Sequence, residues 1–110
     1  MIAILEGILQ YRGDGYIIVS VGGIGFQVYV SGSTLSQLGA INGKVSLYTH
    51  LQLREDSVSL YGFASSEELA LFRKLISVSG IGSKVALALL SALNPEQLVT
   101  AITSGNVELL

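Results

Sequence analysis

Two short stretches carry residues whose types and spacing could do chemistry. Residues 78–85 read V-S-G-I-G-S-K-V, and Glu55 and Asp56 stand side by side after Arg54. In the first, glycines at 80 and 82 permit a tight bend and the close approach of another backbone. Apolar helical segments flank it. A helix that starts here would present unpaired N–H groups and the positive end of its dipole, with Lys84 in its first turn. That combination suits a phosphate and contains no base-reading side chain. A corner between two helices in which the glycines only relieve packing reads equally well from the spacing, since a lone G-I-G is short. The Glu55–Asp56 pair sits where acidic residues commonly occupy a polar turn. It has no further ligands in sequence to make a metal site. Its remaining chemistry is electrostatic: paired carboxylates held against phosphates repel them, within a screening length of about 8 Å at physiological salt. His50, the chain's single histidine, reads as an exposed strand residue with no partner for catalysis. Tyr48 and Tyr61 could stack on bases of a single strand, or pack at sheet edges where tyrosine is common. No nucleophile–base pair, nucleotide-binding loop or metal cluster is visible, and no cofactor is expected.

The elements that must position these residues follow from periodicity. Residues 16–21 and 24–30 are β-branched and aromatic and are joined by Gly22-Gly23, a hairpin signal because such turns need positive φ. Residues 2–11 form a first strand. Residues 44–54 alternate, with Val45, Leu47, Thr49, Leu51 and Leu53 inward and Ser46, Tyr48, His50, Gln52 and Arg54 outward. A last strand lies near 58–63, and residues 33–38 suggest a short helix. Five strands with one helix before the fourth predict a small closed barrel of the OB type; an SH3-like barrel would give a similar string. From residue 65 the period becomes helical. Ser65 with Glu68 makes a capping box. Leu69, Phe72, Leu75 and Ile76 form a buried stripe, with Arg73 and Lys74 off it. Residues 85–90 are apolar all round, predicting a sandwiched helix that ends at Leu93. Asn94-Pro95 signals a third helix, buried by Leu98, Val99 and Ile102 and broken at Ser104-Gly105.

Composition sets the bounds. The chain has 110 residues, 50% of them hydrophobic and 13% charged, which is too apolar for disorder. No apolar run is long enough to span a bilayer, and no membrane partner is expected. There are no cysteines, which excludes disulfides and thiolate zinc sites. The net charge of −2 counts against a nucleic-acid binder unless the positive charge gathers on one face or comes from further chain. Leu109-Leu110 fall two apolar residues into a further element, so a longer parent protein is expected.

Taken together, M-I-A-I-L-E-G-I-L at the start, V-G-G-I-G-F-Q-V, Y-T-H-L-Q-L-R-E-D-S-V-S-L-Y-G-F (48–63) and L-F-R-K-L-I-S-V-S-G-I-G-S-K-V-A-L-A-L-L (71–90) resemble the RuvA family along essentially the whole chain. The resemblance implies a five-stranded OB barrel over residues 1–63 that assembles into a flat homotetramer, or an octamer of two. It implies a helix–hairpin–helix DNA-binding domain over 64–110, incomplete because the family's second hairpin would follow. Val78, Ser79, Gly80, Ile81, Gly82, Ser83 and Lys84 match the family's first hairpin and are expected to bind DNA, together with Arg54. Glu55 and Asp56 match its acidic pin. The implied partners are Holliday-junction DNA, the RuvB motor, which holds the ATPase activity, and the RuvC resolvase; the implied setting is cytoplasmic recombination and repair. Ser83 stands where many members carry proline, and is expected to cap the helix or donate to a phosphate.

Overall fold

The computed structural model describes residues 2–92. The strands are β1 (Ile4–Arg12), β2 (Tyr16–Val21), β3 (Ile24–Val30), β4 (Lys44–Leu53) and β5 (Val58–Phe63). The helices are α1 (Gly32–Gln37), α2 (Ser66–Ser77) and α3 (Ser83–Ala92). The strands close into a barrel in the order β1-β2-β3-β5-β4, the OB arrangement, so the SH3-like alternative falls. The expected third helix after Asn94-Pro95, its apolar residues Leu98, Val99 and Ile102, the helix end at Leu93, and Ser104, Gly105, Leu109 and Leu110 lie outside the described residues.

Each turn has a local cause. Gly22 and Gly23 take φ of 58° and 87°, and the β2–β3 register carries through Val21↔Ile24, as a two-residue hairpin requires. β1 serves two neighbours. It pairs with β4 from Ile4 to Ile8 and with β2 from Ile8 to Arg12, with a bulge between Leu9 and Tyr11. A bulge bends a strand and raises its twist, which is how one strand turns the barrel's corner. Gly7 lies at that corner. A Cβ there would collide with the Ser20 carbonyl oxygen and come within 2.8 Å of a Val21 methyl. A short parallel seam, Tyr29↔Tyr61 and Val30↔Gly62, closes the cylinder between β3 and β5. Gly62 points inward there, where a Cβ would stand 2.6 Å from Val28 Cγ1.

Two apolar clusters result. Leu5, Leu9, Ile17, Val19, Val28 and Leu47 are among the residues filling the barrel. Tyr61 and Phe63, on β5's outer face, join Leu69, Phe72, Leu75, Ala86 and Leu89 of the helices in the second. The expected stripe on α2 is present, and Leu71 is buried beside it. Two expected faces differ. Leu53 is 60% exposed, because β4 and β5 run past the end of the barrel as a two-stranded ribbon and the Leu53↔Val58 pair has no core beneath it. Among the described residues, α3 is covered on one side only. Ala86, Leu89 and Leu90 are buried while Val85 is 51% exposed, since α1 and α2 are its main neighbours.

Polar contacts lock the helices to the barrel. Ser65 caps α2 by accepting from Glu68 N–H at 3.1 Å. The Glu68 carboxylate, which a capping box would return to the cap, instead accepts from the Ser31 and Thr34 hydroxyls of the α1 start. Ser91 accepts from the Gly32 N–H at 2.7 Å. Arg12 donates to the Leu35 and Gly39 carbonyls, each at 3.0 Å, and so closes the C-terminal end of α1.

Candidate nucleic-acid interface

The glycine turn is built from both of its sides. α2 stops at Val78, whose N–H bonds the Leu75 carbonyl at 3.1 Å. Ile81 N–H bonds the Val78 carbonyl at 3.1 Å, and Ala86 N–H bonds the Gly82 carbonyl at 3.0 Å as α3 begins. Gly80 takes φ of +88°, a conformation that L side chains avoid, with open space where a Cβ would point. Gly82 also faces open space. Ser79, Gly80, Gly82 and Lys84 are exposed, Val78 is half-buried, and Ile81 anchors the turn against the helical cluster. The bend is therefore open to a ligand's approach.

Ser83 differs from its expected role. It is 4% exposed, and its hydroxyl donates to Gln52 Oε1 on β4 at 2.7 Å. That hydroxyl is occupied inside the protein, so what Ser83 can offer a phosphate is its main-chain N–H at the helix start. The contact docks the turn beside the β4–β5 ribbon. Between them lies a concavity of about 360 Å³ lined by Gln52, Arg54, Ser57, Ser59, Tyr61, Gly82, Ser83, Lys84 and Val85. Among the described residues, two cations and several neutral donors line it, and no carboxylate does. Arg54 and Lys84 are 30 positions apart in sequence and share this one groove.

Glu55 and Asp56 occupy the exposed tip of the ribbon, in a turn closed by Arg54 N–H on the Ser57 carbonyl at 2.8 Å. They lie outside the groove's lining. The sequence pattern missed Gln52, Ser57 and Ser59. The usable signal was alternation, which puts Gln52 on the same outer face as Arg54.

Of the two readings open for Tyr61, packing holds and base stacking falls. Tyr61 is 6% exposed, stacked among Tyr29 at 5.6 Å and Phe72 at 5.2 Å, so it offers no platform to a base. Tyr48 is exposed on the outer face of β4, opposite Ile4 on one side and Phe63 on the other. His50 is half-buried, not exposed. Its ring meets Phe72 edge-on at 5.5 Å. Burial, then the nearby Arg73 charge, push its pKa below the ordinary imidazole value. The folded state thus holds His50 neutral where the unfolded chain protonates it. Its contribution is complete above about pH 6.5 and is lost as pH falls from there through the lower folded pKa. The melting temperature of the chain should fall over that window. His50→Gln should flatten that dependence, because no other histidine titrates there. A parent melting temperature constant from pH 7.5 to 5 would refute the assignment.

An OB barrel followed by two helices joined at a glycine turn, which lies open beside a basic groove, defines a barrel-plus-helical-hairpin scaffold. Residues 1–62 match the RuvA N terminal domain family, and residues 72–110 match a SAM-like helix-hairpin-helix tandem. The chain belongs to the RuvA family. It is 48% identical over 110 residues to a Holliday junction branch migration complex subunit RuvA of Dehalococcoides mccartyi, covering 100% of this chain and 57% of that protein. It is 46% identical over 107 residues to the protein of that name in Chloroflexus aggregans, covering 97% of this chain and 55% of the relative. The chain spans a little over half the length of these relatives.

Proposed function

We propose that this chain binds four-way DNA junctions through their backbones, without reading sequence, as the DNA-holding part of a branch-migration assembly. The observation that carries the reading is the shared groove: Arg54 of the ribbon and Lys84 of the hairpin turn line one concavity with the main chain of Gly82 and Ser83. The names of the relatives support the choice of ligand. Four copies form a disc, each turn of residues 80–84 holds the phosphates of one arm, and the junction is kept open and planar. The Glu55–Asp56 tips lie under the crossover, where their charge discourages the strands from rejoining. RuvB then draws duplex through and supplies the ATP hydrolysis; RuvC is a further partner. Specificity comes from junction shape and symmetry.

A gel shift comparing four-way junction, duplex and single strand tests the reading, with native mass measured with and without DNA. Preference for the junction and a fourfold species are expected. Preference for single strands would overturn it; burial of Tyr61 already removes one of the two stacking residues that alternative needs. The joint substitution Glu55→Gln, Asp56→Asn should leave junction binding as tight or up to roughly tenfold tighter at low salt, with the gain shrinking as salt rises. It should also alter strand separation. Collapse of binding in that variant would mean the pair attracts or organises the DNA instead of repelling it.

A further inference from the structure

We propose that Gln52 is a positioning residue: its bond from Ser83 joins the hairpin turn to the acidic-tipped ribbon, so that both meet a junction as one rigid unit. The inference rests on the junction-binding reading above and adds a residue to it.

The placement of the bond carries the argument. Gln52 lies on the outer face of β4, two residues before Arg54, which follows the end of the strand, and the ribbon tip with Glu55 and Asp56 comes next. Ser83 lies between Gly82 and Lys84. One hydrogen bond of 2.7 Å therefore connects the two segments that carry every proposed DNA-facing group. The other side-chain bonds that hold the helices, Glu68 to Ser31 and Thr34, and Ser91 to Gly32, all end on α1 or the residue before it. Among the described residues, Ser83 to Gln52 is the only side-chain hydrogen bond between the helical unit and the ribbon. Ser83 is 4% exposed, so water does not readily replace its partner. A duplex arm meets the groove between Arg54 and Lys84 and leaves the acidic tip free. A branched molecule must satisfy groove and tip together, and it feels their relative position most.

Gln52→Met keeps the length of the side chain and removes the acceptor. In the 110-residue chain it should weaken junction binding about fivefold for each copy engaged, the worth of one hydrogen bond, and weaken duplex binding by less. Ser83→Ala should weaken junction binding similarly, and the double variant should be no worse than either single one. The Ala86 amide, which makes the first bond of α3, should exchange its hydrogen faster in Gln52→Met by a similar factor. Gln52→Glu, which keeps an acceptor for the Ser83 hydroxyl, should restore that protection. Equal loss on junction and duplex, or additive losses in the double variant, would overturn the joint. Should the parent chain bind junction no better than duplex, the proposed function fails instead. Exchange at Ala86 then decides the joint alone, and unchanged protection in Gln52→Met would overturn it.

Discussion

Phe72→Ala is expected to lower the melting temperature by roughly 15–30 °C, the consequence of losing about 3–5 kcal/mol from a domain of this size. Phe72 is fully buried, and its ring lies 4.9 Å from Phe63, 5.2 Å from Tyr61 and 5.5 Å from His50. It is the α2 residue on which β4 and β5 both close. Removing the ring leaves a cavity walled by other aromatic side chains, which cannot collapse far because Tyr61 and Phe63 are held in the β5 ladder. Net stability of small domains is about 5–15 kcal/mol, so the loss takes a large share of it. The helical unit should loosen before the barrel melts. Two transitions in thermal unfolding, where the parent shows one, would display that; a change under about 5 °C would contradict the packing argument.

Lys84→Ala has the largest expected effect on DNA. Each lysine–phosphate contact contributes about 0.9 to the slope of log affinity against log salt. Four equivalent lysines in a fourfold assembly would therefore flatten the slope by roughly 3 to 4, and a single copy by about 1. Titration of junction binding against salt reads both the role of Lys84 and the number of copies engaged. The loss should be even across DNA sequences, since a phosphate contact carries no base information. An unchanged slope would remove Lys84 from the interface. Folding should be little affected, because the side chain is exposed on the first turn of α3.

The barrel was readable from the sequence because its determinants are local. Gly22-Gly23 forces a two-residue turn, alternation in β4 separates Val45, Leu47 and Thr49 from their neighbours, and Ser65 marks the start of α2. What alternation could not show is where the core ends. Leu53 follows the same pattern as Leu47, and only the three-dimensional length of the barrel decides that one is buried and the other exposed. Tyr61 was ambiguous for a related reason: β5 is covered on both faces, by the barrel inside and the helices outside, so no polar alternation marks its outer side. Glu68 was legible as a capping residue, yet its carboxylate serves α1, a segment more than 30 positions earlier. The site divides in the same way. The glycine turn and the acidic pair are contiguous and could be picked out. Ser83 meeting Gln52, and Arg54 sharing a groove with Lys84, are products of tertiary docking and left no local trace.

The parallel seam between β3 and β5 has a consequence for biosynthesis. Its pairs, Tyr29 with Tyr61 and Val30 with Gly62, join segments about thirty residues apart. A nascent chain emerging from the ribosome can form the β2–β3 hairpin early, yet cannot seal the cylinder until β5 has left the exit tunnel. Until then the β3 edge stays unpaired. α2 begins three residues after β5 ends and packs on the outward side of that strand, so sealing and helix docking become nearly simultaneous events.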